Sequence, residues 1–442
     1  MKTVKKLFIM GIAIASLFLC ARSEDRRPNK SFLVIMTLNA EFLWDGVEPE
    51  EGRVDFPWKG SKTEADEHMS NIADIIIHSN PDIVNLVEVE NEAALNTFND
   101  KFLAGRGYRA YFVQGKDNYT GQDVALLTRI DPEGEKIARD DRKGQRGTIS
   151  KSVSKNYFAK IALADAKIVL IGLHFLAQPL REDRRLEREA QAEAIRSLAV
   201  EKQKEGYLVV VLGDFNDYDG EENSRDHIDS TPISSVLNIV KSMDTADSSD
   251  DLTNSASLVQ KENRYTSFYD ANDNGKVDFP REFTSIDHVL LSPKLKEKVE
   301  VVEIPHMHDP LTVTDHFPVV VGIRTSATPP PPSTIQVKIE SLLPNPVGDE
   351  SQNEELTIKN CGTQLVNLRG WKLRDLARKT WALDSLGTLN PNEEKTIKRN
   401  GQEMALNNNG DTIDLLDPNG NVVHSVTYAR AEEGEIITPV IH

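Results

Sequence analysis

The stretch that most constrains this chain is Tyr207 to Asp219, YLVVVLGDFNDYD. Its uncharged aliphatic run reads as a strand buried on both faces, since a strand with one wet face would alternate polar and apolar residues. A polar burst follows directly at the C-terminal end of that strand. Asp214 and Asn216 are two apart, so in an extended segment both would point to the same side, and Gly213 would let the backbone turn.

The same design recurs along the chain. FLVIMTLNAEF ends in Asn39 and Glu41, DIVNLVEVEN in Glu88, and IVLIGLHF in His174, while SIDHVLL and VTDHFPVVV carry Asp287, Asp315 and His316. Glu88 closes an almost wholly apolar run, where an unpaired acid would be costly. Further strands are expected at Ala110–Val113, Val124–Thr128, Phe158–Ala162 and Ile168–Leu173. Apolar spacing at Ile72, Ile75 and Ile76 predicts an amphipathic helix over Glu64–Ser79, stopped by Asn80-Pro81. Arg181–Glu205 reads as a second helix, with Leu186, Ala190, Ala194 and Leu198 at four-residue spacing and its charges on a solvated face. Strands alternating with helices argue for a layered α/β domain.

Taken in order, LNAEF, LVEVE, LHF, GDFND, IDHVLL and TDHFP resemble the successive signatures of the endonuclease/exonuclease/phosphatase superfamily, over about residues 32–324. Each motif alone is weak, and the ordered set is specific. The DFPWKG insertion and the segment with Arg188 and Gln191 resemble the bacterial secreted-nuclease branch. The resemblance implies a four-layer αββα sandwich of the DNase I type, with the site at one end of two packed sheets. It also implies that Asp287 hydrogen-bonds His316, fixing its tautomer and supporting an imidazolium. Thr314 stands where the family usually has serine, and keeps the hydroxyl.

Phosphodiester hydrolysis needs neutralised phosphoryl oxygens, an activated water and help for the leaving oxygen, and hard divalent cations on carboxylates serve the first need. Glu88 is the leading Mg²⁺ ligand, with Glu41 and Asp315 completing the shell or holding a second ion; Mn²⁺ would also fit. Asn39 can orient water or phosphate without adding charge. His174 would donate to a non-bridging phosphate oxygen and Asn216 would add a neutral donor. Asp214 either orients the attacking water or acts as its base, and His316 is the competing base. No paired serine or cysteine nucleophile is present, so direct water attack is expected. His288 should face away from Asp287 and be structural. Asp270–Asp278, DANDNGKVD, imitates the start of a Ca²⁺ loop, but Arg281 replaces the glutamate required at the twelfth position, so a plain turn is expected.

The first residues have a basic start (Lys2, Lys5, Lys6) and an apolar run from Leu7 to Cys20, shorter than the about 20 residues a bilayer crossing needs. Residues 1–23 therefore read as an export signal, with Ala21 and Ser23 fitting the cleavage site and a lipid anchor at Cys20 as the alternative. The catalytic segment is placed at 31–324, and TSATPPPPST at 325–334 is expected to be an extended linker. Beyond it, residues 335–430 break into short alternating segments between Asn, Gly and Asp turns, as in a small all-β sandwich. EELTIKN, VNLRGWKLRD and NNNGDTIDLLDPNGNVVHSVTY resemble the lamin-tail domain, which implies an immunoglobulin-like fold with Trp371 in its core. Arg369, Lys372, Arg374, Arg378 and Lys379 cluster there, on a solvated surface or as a contact for a polyanion or the cell envelope.

The formal net charge of -18 argues against a broad basic surface that grips nucleic acid. It leaves room for an enzyme that turns a polyanion over, so DNA, with RNA as a second substrate, is the first expectation. A phosphodiesterase or phosphatase for a lipid headgroup or inositol phosphate is the alternative. A non-catalytic surface protein ranks last, because every expected site residue is present.

Overall fold

In a computed structural model of the protein, residues 24–47, 53–220, 234–243, 247–325, 337–362, 366–390, 393–418 and 420–438 are described. The expected export signal over residues 1–23, Cys20 and the expected linker beyond Thr325 lie outside them.

The N-terminal segment builds two sheets. Strands β1 (Phe32–Leu43), β2 (Ile83–Val89), β3 (Arg109–Phe112) and β4 (Asp123–Thr128) are followed by a hairpin of β5 (Lys143–Arg146) and β6 (Ile149–Ser152). Next come β7 (Lys155–Ala162), β8 (Lys167–His174), β9 (Leu208–Asp214), β10 (Thr253–Asn254), the short pair β11 (Ser267–Phe268) and β12 (Phe283–Thr284), β13 (Asp287–Leu291), β14 (Val299–Glu303) and β15 (Val319–Arg324). One sheet has the order β14-β15-β1-β2-β4-β3 and the other β10-β13-β9-β8-β7. Helices α1 (Lys62–Ser79) and α2 (Glu92–Phe102) belong to the first sheet, and α3 (Arg185–Lys204) and α4 (Val236–Lys241) to the second.

The alternation of side chains explains why the strands read as unbroken apolar runs. In β9, Val210 and Leu212 enter the core between the sheets, while Val209 and Val211 enter the core beneath α3 and α4. In β1, Leu33 and Ile35 face the other sheet, and Met36 and Leu38 meet Ile72 and Ile76 of α1. Both faces of both sheets are covered, which gives the αββα order.

The C-terminal segment is all β apart from single turns of helix. A three-stranded sheet of Val337–Leu343, Glu355–Asn360 and Glu394–Lys398 packs with a four-stranded sheet of Thr380–Ala382, Lys372–Arg374, Asp411–Leu416 and Val422–Tyr428. Trp371 is buried as expected, and Trp381 is fully buried and donates its indole N–H to the Met404 carbonyl at 2.7 Å. Arg374 pairs with Asp414 at 2.5 Å, so it is committed to its own sheet, while Arg369, Lys372, Arg378 and Lys379 are exposed.

Two expectations change. The charged helix is not uniformly solvated: Arg188 is fully buried, donating from Nε to Asp217 at 3.1 Å and from its terminal nitrogens to the Gln178 and Pro179 carbonyls at 3.0 and 2.8 Å. A guanidinium with three such acceptors can be enclosed, and periodicity in Leu and Ala gives no hint of it. The second change is at the end of β9, described below. Because breaking a buried pair leaves an uncompensated charge, Asp217→Ala should cost about 3–5 kcal/mol. Urea unfolding read by far-UV circular dichroism checks this, and a loss below about 1 kcal/mol, typical of exposed pairs, would contradict it.

Candidate active site

Three neighbouring strands of the second sheet place their terminal residues in one row, β8 and β9 by their last residue and β13 by its first. His174 of β8 lies in register with Asp214 of β9, and Asp214 with Asp287 of β13. Gly213 permits this closeness: a β-carbon there would fall 2.0 Å from the Leu173 carbonyl oxygen, and its φ of 137° disfavours any side chain. The strand ends at Asp214, and Asn216 has a φ of 47°, so Asp214 and Asn216 are related by a tight turn rather than by strand alternation. Asp214 Oδ1 accepts the Asn216 backbone N–H at 2.7 Å, and the Asn216 amide donates to the Phe175 carbonyl at 3.2 Å.

The first sheet contributes the opposing wall. After Asn39, β1 is distorted: Glu41 and Phe42 have φ of 43° and 57°, and the β1–β2 register shifts between Asn39 and Leu43. The DFPWKG insertion supports that distortion. Trp58 donates to the Phe42 carbonyl at 2.8 Å and stacks on His68 at 3.9 Å, and His68 Nε2 donates to the Ala40 carbonyl at 2.7 Å. Thr314 Oγ1 donates to the Asn39 carbonyl at 2.9 Å, so the hydroxyl retained at this position is used.

The walls meet at the Asn39 amide. Its nitrogen is 3.3 Å from Glu88 Oε1, 3.2 Å from Asp214 Oδ2 and 3.5 Å from His316 Nε2. His316 Nδ1 is 2.7 Å from Asp287 Oδ2. Burial opposes charge on His316, but Asp287, Asp315 and Asp214 outweigh it and hold the imidazole well above its ordinary pKa. Nδ1–H therefore goes to Asp287, and Nε2–H lies between Asp315, 3.7 Å away, and Asp214, 4.0 Å away. His174 Nε2 is 3.6 Å from Asp214 Oδ2, beyond hydrogen-bonding distance. Burial pushes the His174 imidazole well below its ordinary value, with Lys155 and His316 acting in the same direction.

Carboxylates accumulate in the corner formed by Glu41, Glu88 and Asp315. The Asp315 backbone N–H donates to Glu41 Oε2 at 3.1 Å. Glu41 is pushed up to about 8 by burial and by the charges of Asp315 and Glu88, and Asp214 to about 8 by burial and Asp287. Buried His174 Nδ1 and Asp287 Oδ1 have no hydrogen-bond partner among the described residues. An all-oxygen, like-charged corner fits a hard divalent cation. Among the described residues, the group of three whose ligand atoms all lie within 4.8 Å of one another is Asp214, Asp287 and His316. A protonated His316 tied to Asp287 has no free lone pair to give a metal, so a cation held by this triad would require His316 to lose its proton.

Asn39, Glu41, Glu88, His174, Asp214, Asp287, Asp315 and His316 lie together here, whereas the Asn216 amide, expected as a donor to phosphate, is directed at the Phe175 carbonyl. His288 faces away, as expected: its Nε2 donates to the Asp217 carbonyl at 2.9 Å. Two residues were not foreseen. Gln122 donates to Glu88 Oε2, and Lys155 lies 3.3 Å from the Gln122 carbonyl oxygen; neither stands in a recognisable motif. The Asp270 loop is an internally bonded turn, with Asp270 accepting from Asn274 and Gly275, and the amides of Asn272 and Asn274 directed at Asp278.

The model of the Endonuclease/Exonuclease/phosphatase family matches residues 36–316. The chain belongs to this family. The Lamin Tail Domain model matches residues 330–430. No curated protein matches the sequence. Among solved structures, a family member from Beutenbergia cavernae DSM 12333 shares 15% identity at a TM-score of 0.43, covering 90% of this chain and 100% of that one. TDP2 of D. rerio, complexed with single strand DNA product, shares 14% at 0.41, covering 67% and 100%. The Neisseria 3' phosphatase NExo, bound to product DNA hairpin, shares 16% at 0.41, covering 65% and 98%.

The buried acids and imidazoles of this cluster predict an unusual pH response for the protein in EDTA. Glu41, Asp214 and His316 are all raised, so between pH 8 and 6.5 the folded chain binds protons that the unfolded chain releases. Stability therefore rises as pH falls through that window. Below 6.5 the buried His174, lowered, and His68, lowered to about 4 chiefly by burial, oppose the trend. Thermal unfolding in EDTA should show a higher Tm at pH 6.5 than at pH 8, with Mg²⁺ reducing the difference; equal values would refute the assignment.

Proposed function

We propose that this hydrolase is an exported, divalent-metal-dependent phosphodiesterase that cleaves DNA. The observation that carries the reading is the face-to-face placement of a charged His316–Asp287 pair and Asp214 against the Glu41, Glu88 and Asp315 corner, joined through Asn39. One half supplies proton handling and the other oxygen ligands, as hydrolysis of a phosphodiester requires.

Glu88, Glu41 and Asp315 would hold Mg²⁺, or Mn²⁺, which when bound supplies charge neutralisation at the phosphoryl oxygens. Asp214 Oδ1 is taken by the Asn216 N–H, and Oδ2 accepts from the Asn39 amide with its second lone pair facing the site. Oδ2 accepts a proton from the attacking water as the water oxygen bonds to phosphorus and the bond from phosphorus to the sugar oxygen breaks. His316 is already charged, so it serves as donor rather than base, with Asp287 holding its ring. His174 Nε2 and the Asn39 amide face the same space and orient the phosphate. Export rests on the basic and apolar leader of residues 1–23.

The test is supercoiled plasmid nicking by protein lacking the leader, with Mg²⁺, Mn²⁺ or EDTA, beside bis(p-nitrophenyl) phosphate and a phospholipid. Metal-dependent nicking should fall by about 10²–10⁴-fold in Asp214→Asn and in His316→Ala. Hydrolysis of the small diester or lipid without nicking would move the substrate away from DNA. A folded, metal-binding protein inactive on all three would sink the phosphodiesterase reading.

A further inference from the structure

Glu88 does not hold its own position. Its φ of 66° is in the left-handed region, which a residue other than glycine seldom adopts without outside support. The carboxylate is held by donors from three directions: Asn39 on Oε1, and the Phe42 backbone N–H at 3.3 Å together with the Gln122 side-chain amide on Oε2. Asn39 belongs to the reacting centre, and the Phe42 N–H is fixed by the backbone. Gln122 is different, because it is the end of a chain of side chains with no other evident task.

Gln122 is buried just before β4, and its Oε1 accepts from Lys155 Nζ at 3.3 Å. Lys155 is buried at the start of β7 and pairs with Asp117 at 3.1 Å. Asp117 is fixed in turn by the N–H groups of Tyr119 and Thr120, at 2.9 and 3.1 Å, and by the Thr120 hydroxyl at 2.5 Å. An ammonium only donates and a carboxylate only accepts, so the amide between them has one permitted orientation: oxygen toward Lys155, NH₂ toward Glu88. Glutamine suits this place because it carries both functions on one neutral group. Glutamate would satisfy Lys155 and repel Glu88, and an apolar side chain would leave both short of a partner.

We propose that Gln122, oriented by Lys155 and Asp117, is a positioning residue that fixes the Glu88 carboxylate and thereby sets the affinity of the site for its divalent cation. The inference rests on the metal reading of Glu88 given above. It assigns a function to a relay that runs from the 117–122 loop of the first sheet's edge to β7 of the second, and so crosses between the two walls.

The experiment is calorimetric titration of EDTA-stripped protein with Mn²⁺, without substrate, for the wild type, Gln122→Met and Lys155→Gln, with thermal unfolding in EDTA alongside. Both variants should bind Mn²⁺ about 10–100-fold more weakly, the usual cost of losing a group that orients a metal ligand, with Tm in EDTA reporting separately any stability lost with the buried contacts. The Mg²⁺ concentration that half-activates diester hydrolysis should rise by the same factor, with kcat recovering at saturating metal. A folded Gln122→Met protein with wild-type Mn²⁺ affinity overturns the positioning role and leaves the metal reading standing. If Gln122→Met fails to fold, Lys155→Gln decides by the same reading, and loss of the fold in both shows a structural role and overturns the proposal. A wild type that binds no Mn²⁺ overturns this inference and the metal reading together.

Discussion

The site depends on register. His174, Asp214 and Asp287 are abreast because β8 runs parallel to β9 while β13 runs antiparallel to it, with no slip along either pair. A one-residue shift in either pairing would turn a whole strand over, sending its polar terminus into the helix-side core and its apolar residues into the wrong layer. The two cores on the faces of β9 therefore enforce the geometry of the polar row. Stability and chemistry are coupled through the same alternation of valines and leucines, at no cost to either.

The other wall is less regular. Glu41 and Glu88 both carry left-handed backbone, and a strand cannot turn an acid toward a corner otherwise without losing its ladder. The surroundings hold these conformations in place: Trp58 and His68 behind Glu41, and Phe42, Asn39 and Gln122 around Glu88. Local strain concentrated on acids that face the site, with rigid support behind, is the pattern expected where preorganisation matters.

Much of this was legible in the sequence. Buried strands announce themselves as apolar runs, so the polar residues at their ends were visible as a set, and the ordered motifs named the family later matched over residues 36–316. The small β domain was visible from its turns, down to the strands Lys372–Arg374 and Val422–Tyr428. What escaped has a common physical cause. Arg188 and Lys155 are charged side chains that only tertiary partners make buriable, and no periodicity reports an acceptor supplied by a distant segment. Gln122 was missed for the same reason, since Glu88 and Lys155 reach it from two other strands. The relation of Asn216 to Asp214 was misread because strand alternation was carried one turn too far, past the point where the backbone leaves the sheet.

Gly213 has a meaning beyond flexibility. With a neighbouring carbonyl 2.0 Å from where a β-carbon would sit, the position admits no side chain while β8 and β9 remain paired. Substitution there would wedge His174 and Asp214 apart before it altered any reactive atom. The glycine of GDFND is thus a spacer gauge: it contributes no group to the reaction, and sets the gap across which the other groups act.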